Sequence, residues 1–160
     1  MILKLKDGDV KIELYEEIAP NHVKRFKLLA KEKKYDGVVF HRVINDFMAQ
    51  TGDVKFGNMN SPDYNLTKAG TGGSEYPDLK AEFNNAPHER GTLSMARSND
   101  PNSANSQFFI CFKKVPHLDR QYTVFGKVIE GMEFVDMIKK GDGANGEVSE
   151  PDKIISLSEI

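Results

Sequence analysis

The segment from Phe40 to Asp53 places polar side chains that can bind a ligand among large apolar ones. Arg42 lies between Phe40 and Val43, and the carboxamide of Gln50 follows eight positions later. Arginine is seldom buried without a partner, so Arg42 either pairs with another group or faces a ligand. An apolar pocket with a few fixed polar groups is the usual make-up of a small-ligand or peptide site. The segment therefore predicts a binding pocket with a guanidinium at its edge.

Other kinds of catalytic site find little support in the sequence. No Gly-x-Ser-x-Gly motif occurs, and Cys111 stands in an apolar run, which indicates a core residue rather than a reactive thiolate. The four histidines are scattered without cysteine or carboxylate partners at ligand spacing, so no metal site is expected. The glycine-rich residues 70–73 lack the strand, helix and lysine of a phosphate-binding loop. They predict a flexible turn near a binding surface.

Length and composition predict one globular domain that spans residues 1–160. Hydrophobic residues make up 39% and charged residues 29% of the 160 residues, which suits a chain that folds around one core. The 22 basic and 24 acidic residues are well mixed and give a net charge of -2, so no nucleic-acid partner is expected. No run approaches the roughly 18 apolar residues of a membrane span, and no membrane partner is expected. A single cysteine and a start without a signal peptide predict a cytoplasmic protein.

Eight strand-like runs and two helical segments are predicted around these residues. One helix begins at Pro20 and ends near Lys34, and the other runs from Gly131 to Lys140. The strand-like runs lie at 2–6, 10–15, 38–44, 47–51, 92–97, 107–112, 122–129 and 153–159. Because strands and helices do not alternate, an antiparallel barrel or sandwich with two helices covering its ends is expected.

The period of two along a strand predicts which side chains can face a pocket. Phe108 and Phe109 are neighbours, so one must point into the sheet's interior and the other outward. By the same alternation His41 points away from Arg42, which predicts a structural role for His41. An eight-stranded barrel fills its interior with side chains, so the ligand site is expected on the outer face. A small apolar ligand carried inside the barrel is therefore disfavoured.

Five motifs in a fixed order resemble the cyclophilin family of peptidyl-prolyl cis-trans isomerases. They are Phe-His-Arg-Val-Ile…Phe-Met-Ala-Gln-x-Gly-Asp, Gly-Thr-Gly-Gly, Gly-Thr-Leu-Ser-Met-Ala-Arg, Ser-Gln-Phe-Phe-Ile and Val-Phe-Gly-Lys-Val. The resemblance covers essentially the whole chain and implies a closed eight-stranded antiparallel β-barrel capped by two α-helices, with no cofactor. The residues implied at the site are the catalytic Arg42, Phe47 and Gln50 and the substrate-binding Met48, Gly70, Ala96, Arg97, Gln107, Phe109, His117, Leu118 and Tyr122.

Three positions depart from the pattern that many family members share. His117 stands where many members have a tryptophan that supports binding of the cyclic peptide cyclosporin, so weak cyclosporin binding with intact isomerisation is expected. Tyr122 replaces a histidine of many eukaryotic members, and its ring can still form a wall of the pocket. Arg97 opens a longer segment, up to Pro101, than many members have, so only a backbone contact is carried over at Arg97.

The resemblance implies a monomeric prolyl isomerase that acts on proline-containing peptides and unfolded protein chains. Arg42 would donate a hydrogen bond to the proline nitrogen above an apolar proline pocket. The alternative is a non-catalytic module that binds proline-containing segments within a larger assembly. The presence of Arg42, Phe47 and Gln50 together favours the enzyme.

Overall fold

Eight strands and two α-helices form the structure, a computed structural model that describes residues 1–160. The strands are β1 (Ile2–Leu5), β2 (Gly8–Leu14), β3 (Arg42–Ile44), β4 (Met48–Thr51), β5 (Thr92–Met95), β6 (Phe108–Cys111), β7 (Val124–Glu130) and β8 (Ser156–Ser158). The helices are α1 (Pro20–Lys31) and α2 (Met132–Asp136), and a short 3-10 helix covers Pro116–Leu118. The predicted mainly β class, with eight strands and two helices, is confirmed. None of the helices has the length and apolarity that crossing a membrane requires.

All eight strands belong to one sheet in the order β3-β4-β6-β5-β7-β2-β1-β8, and every neighbouring pair is antiparallel. The edge strands β3 and β8 are only three residues long and do not pair with each other. The closed barrel expected from the sequence is therefore corrected to an open, curled half-barrel.

The two edges of the sheet approach each other just before β3 and β8. Gly37 N donates to Ile154 O at 2.7 Å, Ile154 N donates to Val38 O at 2.8 Å, and Phe40 N donates to Asp152 O at 2.8 Å. Residues 38–41, predicted as part of a strand, form no regular ladder, and only Val38 and Val39 make isolated bridges, to Asn58 and Lys153. The loop that follows β4 is long, and no strand or helix lies between residues 52 and 91.

The main core lies on one face of the sheet and is closed by α1. Phe26 of α1 packs edge-on against Phe108 of β6 with ring centroids 5.1 Å apart, and Tyr35 and Phe125 complete the aromatic cluster. Pro20 occupies the first turn of α1, where its missing N–H costs no hydrogen bond. The core therefore packs against the inner side of β6 through Phe108.

A second and smaller apolar cluster lies on the opposite face of the sheet. Its buried members are Met48, Phe109, Cys111, Val115 and Leu118. Phe108 belongs to the main core and Phe109 to this outer cluster, as the alternation along a strand predicted. The outer cluster is the apolar part of the candidate site.

Candidate active site

Strand register brings the predicted polar and aromatic site residues into one row. Arg42 of β3 lies opposite Gln50 of β4, Gln50 lies opposite Phe109 of β6, and Phe109 lies opposite Ser94 of β5. Residues that lie directly opposite each other project from the same face of a sheet. The row therefore places a guanidinium, a carboxamide and a phenyl ring side by side on the outer face.

The apolar side of the site is built around Phe109. Its ring contacts Tyr122 edge-on, with centroids 5.8 Å apart, and is 5% exposed. Met48 and Leu118 are buried beside it, and Phe47 is partly buried against the same cluster. His117 is exposed at the rim, with its ring 6.3 Å from that of Phe47. Together these side chains form a compact apolar cluster on the outer face, with one imidazole at its edge.

Arg42 is half-buried and held by two neutral acceptors. Its Nε donates to the backbone oxygen of Asn145 at 2.8 Å, and its Nη1 donates to Gln50 Oε1 at 3.4 Å. A guanidinium carries five N–H donors, so most of its hydrogen-bonding capacity has no protein acceptor. Asn145 could not be predicted from the sequence, because a backbone carbonyl can come from any residue type and leaves no motif. The segment from Gly141 to Glu147 therefore anchors Arg42 through Asn145.

Gln50 is linked through Gln107 to the glycine-rich turn. Gln50 Nε2 donates to Gln107 Oε1 at 3.0 Å, and Gln107 Nε2 donates to the backbone oxygens of Gly70 and Gly72, each at 2.9 Å. A polar cavity of about 470 Å³ lies beside them, between the glycine-rich turn and Ala96. The glycine-rich turn thus lies against the site, and hydrogen bonds hold it there.

Ala96 and Arg97 form the far rim of the site at the end of β5. Ala96 N donates to Gln107 O at 3.0 Å, which continues the pairing of β5 with β6 beyond the regular ladder. The guanidinium of Arg97 stacks 4.5 Å above the ring of Tyr122 and donates to Gln121 O through Nε and Nη2. Arg97 and Tyr122, two of the three positions that depart from the pattern of many family members, are therefore in contact with each other.

A hydrogen-bonded set behind Phe109 was not predicted from the sequence. His88 stacks on Phe109 with ring centroids 6.1 Å apart, its Nε2 lies 2.8 Å from Ser94 Oγ, and its Nδ1 lies 3.1 Å from Asp119 Oδ1. Burial lowers the pKa of His88 below its usual value and outweighs the opposite effect of Asp119. Ser94 is fully buried, so this Ser-His-Asp set cannot reach a substrate and instead supports the Phe109 ring.

The remaining nucleophilic and metal-ligating side chains lie away from the site's surface. Burial raises the pKa of Cys111 to about 12, so its thiol is protonated at neutral pH. His41 is buried beneath Gly70, and burial lowers the pKa of His41 to about 4. No group of three or more His, Cys, Asp or Glu side chains is arranged to hold a metal ion. The arrangement can therefore donate hydrogen bonds and enclose an apolar ring, but it presents no nucleophile.

Comparison with protein families gives a match over residues 1–159 to the family described as cyclophilin type peptidyl-prolyl cis-trans isomerase/CLD. A protein of Brucella suis biovar 1 named "probable peptidyl-prolyl cis-trans isomerase" is 62% identical over 159 residues, which cover 99% of this chain and 81% of that protein. A chicken (Gallus gallus) protein named "peptidyl-prolyl cis-trans isomerase-like 3" is 44% identical over 136 residues, and the match covers 83% of this chain and 77% of the length of that protein.

The fold is also similar to that of solved structures. The crystal structure of a Cryptosporidium parvum cyclophilin type peptidyl-prolyl cis-trans isomerase, determined in the presence of the dipeptide Ala-Pro, has a TM-score of 0.82 and 28% sequence identity. The superposition covers 97% of this chain and 94% of that one.

Proposed function

The chain belongs to the family of cyclophilin-type peptidyl-prolyl cis-trans isomerases, and we propose that it accelerates rotation about X–Pro peptide bonds through a hydrogen bond from Arg42 to the proline nitrogen. The observation that carries this proposal is a half-buried guanidinium with unused N–H groups on the same face of the sheet as the outer apolar cluster. Arg42, Phe47 and Gln50 are the proposed catalytic residues.

The size of the catalytic task is modest. Rotation about an X–Pro amide meets a barrier of about 20 kcal/mol, because the amide resonance must be broken. A turnover of about 10³ s⁻¹ corresponds to a barrier of about 13 kcal/mol, so the site must contribute roughly 7 kcal/mol. No covalent bond is made or broken, so neither a nucleophile nor a metal ion is needed.

Arg42 contributes because the twisted amide differs electronically from the planar one. In the twisted state the proline nitrogen regains a lone pair and becomes a hydrogen-bond acceptor. A donor aimed at this nitrogen stabilises the twisted state and hardly affects the planar ground state, which is the condition for catalysis. A charge-assisted hydrogen bond from Arg42 would contribute about 1.5–3 kcal/mol.

The apolar pocket supplies the remaining stabilisation. Phe47, Met48, Phe109 and Leu118 would enclose the proline ring and exclude water, which strengthens the hydrogen bond from Arg42. His117 and Tyr122 lie at the rim of this pocket.

The polar rim would hold the peptide backbone on either side of the proline. Gln50 would keep the guanidinium of Arg42 in place, and Gly70 and Gln107 line the adjacent cavity. The backbone at Ala96 and Arg97 would pair with the peptide in the manner of a neighbouring strand.

The proposed substrates are proline-containing peptides and unfolded protein chains. Crystallisation of the Cryptosporidium parvum relative in the presence of Ala-Pro supports this substrate class. No observation favours the alternative of a non-catalytic binding module. Weak cyclosporin binding, a monomeric state and a cytoplasmic location stay predictions of the sequence, as does the extent of one domain over residues 1–160.

A protease-coupled isomerisation assay on a short peptide that contains Ala-Pro-Phe tests the proposal. We expect rapid catalysis by the wild type and a loss of about 10²–10³-fold in Arg42→Ala, the size expected for removal of a preorganised donor. Arg42→Lys is the matched control, because it keeps the charge but loses the planar donor fork, and an intermediate loss is expected. A folded wild type without activity would refute the proposal, and an active Arg42→Ala would refute the assigned role of Arg42.

A further inference from the structure

We propose that the buried carboxylate of Asp53 is a positioning residue that sets the direction of the hydrogen bonds reaching Arg42. The expected effect of Asp53 on turnover rests on the proposed function, whereas its effect on the orientation of the hydrogen bonds can be tested separately. Asp53 is fully buried and lies below the glycine-rich turn, where it contacts neither Arg42 nor the pocket. Its influence would pass through two backbone carbonyls and two carboxamides.

Asp53 gathers four backbone N–H groups on its two carboxylate oxygens. Oδ1 accepts from the N–H groups of Lys55 and Phe56, at 3.1 and 2.9 Å, and Oδ2 accepts from those of Gly70 and Gly72, at 2.8 and 2.9 Å. An ionised carboxylate only accepts hydrogen bonds, so all four donors must point at it. The glycine-rich turn is thereby tied to the start of the loop that follows β4.

The close approach of the turn to Asp53 requires glycine. A Cβ atom at position 72 would lie 2.5 Å from Asp53 Oδ1, and Gly70 has a φ of +104°, which L-residues with side chains rarely adopt. With the N–H groups of Gly70 and Gly72 turned toward Asp53, the carbonyl groups of the same two residues both face Gln107. The turn therefore presents two backbone acceptors to Gln107.

These two acceptors determine the orientation of both carboxamides. A carbonyl oxygen cannot donate, so Gln107 must direct its NH2 group at Gly70 and Gly72 and its Oε1 at Gln50. Gln50 must then direct its own NH2 group at Gln107, which leaves Oε1 to face the Nη1 of Arg42. Reversal of either amide would set two donors or two acceptors against each other. The direction of every bond in the chain thus follows from the turn that Asp53 holds.

The consequence falls on the plane of the Arg42 guanidinium. Asn145 O holds Nε and Gln50 Oε1 holds Nη1, and two such contacts fix a planar group. If the Gln50 amide reversed, its NH2 group would face the guanidinium and repel it. The donors that the proposed mechanism aims at the proline nitrogen would then lose their alignment, and a small misplacement of a catalytic group is costly.

Asp53→Asn tests the inference, because the side chain keeps its size but gains two donors and loses one acceptor. We expect kcat/KM to fall about tenfold, mostly through kcat, which is the rate equivalent of one net hydrogen bond. Thr51→Val is the matched control, since it removes the buried bond from Thr51 Oγ1 to Val39 O one position from Gln50. The side chain of Thr51 lies on the inner face of the sheet. The kcat of Thr51→Val should therefore stay within about twofold of the wild type, even though the loss of a buried hydrogen bond lowers its stability.

A double-mutant cycle separates positioning from a general structural role. If Asp53 acts through Gln107, the kcat/KM of the double variant Asp53→Asn/Gln107→Ala should be no lower than that of Gln107→Ala alone. Additive losses, or a kcat for Asp53→Asn within twofold of the wild type, would overturn the inference.

Side-chain amide NMR provides a readout that does not depend on turnover. In the wild type, the NH2 protons of Gln107 should show NOEs to backbone protons of Gly70–Gly72, and their absence would overturn the inference even if Asp53→Asn failed to fold. In Asp53→Asn the NH2 signals of Gln50 and Gln107 should shift, whereas in Thr51→Val they should not. A wild type without isomerase activity would refute the proposed function, and the NMR signals would still decide whether Asp53 positions the two amides.

Discussion

Phe108 and Phe109 are adjacent in sequence, but truncation of Phe108 should mainly affect stability and truncation of Phe109 should also affect catalysis. Phe108 is fully buried among Phe26, Tyr35 and Phe125, and its loss leaves a cavity in the main core. Phe-to-Ala changes in cores cost about 3–5 kcal/mol, and in a chain of this length each kcal/mol lowers Tm by about 2–4 °C. Phe108→Ala should therefore lower Tm by roughly 6–20 °C and leave kcat/KM per folded molecule within about threefold of the wild type.

Phe109→Ala should also lose stability, but its distinguishing effect should be on catalysis. The Phe109 ring forms the floor of the proposed proline pocket, and burial of one apolar side chain contributes about 1.5–3 kcal/mol. Loss of that contribution in the transition state corresponds to a fall in kcat/KM of about 10- to 150-fold.

The comparison uses the protease-coupled assay at low temperature, with the folded fraction measured by circular dichroism. Phe108→Leu and Phe109→Leu provide a milder pair if an alanine variant does not fold. Equal losses of activity per folded molecule in the two positions would refute the assignment of the two rings to separate faces with separate roles.

Three further predictions concern other groups in and around the site. Burial lowers the pKa of His41 to about 4, so its imidazole binds a proton at higher pH in the unfolded chain than in the folded one. The free energy of unfolding should therefore fall by roughly 2–3 kcal/mol as the pH is lowered from 7 to 4.5. Denaturant unfolding should show a weaker pH dependence in His41→Gln, and an unchanged slope would contradict the prediction. Cys111, with its pKa raised to about 12, should react with a thiol reagent at pH 8 only after denaturant is added, so rapid labelling of the native protein would count against its burial. His117→Trp should tighten cyclosporin binding by about tenfold, because tryptophan adds apolar surface and an indole donor. The binding can be measured by the fluorescence of this tryptophan, since the chain has no other. An equal affinity of the variant and the wild type, measured in competition, would show that position 117 does not determine cyclosporin binding.

The sequence predicted those features that depend on local periodicity. Alternation along a strand separated Phe108 from Phe109, because successive side chains on a strand point to opposite faces whatever the rest of the chain does. Helical spacing after Pro20 likewise predicted α1 to within a few residues of its observed end at Lys31. The ordered motifs then pointed to the family, which the match over residues 1–159 confirms.

The tertiary structure decided which distant groups complete the site. Asn145 O reaches Arg42 across 103 positions of sequence, and Asp119 and Ser94 meet at His88 behind the Phe109 ring. The sheet remains open for the same kind of reason, because β3 and β8 do not pair with each other and only a few backbone bonds join the segments before them. Such contacts depend on the way in which the long loops pack against the sheet. A backbone carbonyl has no residue type, so the sequence determined the groups that could act, and the packing of the loops decided where each of them points.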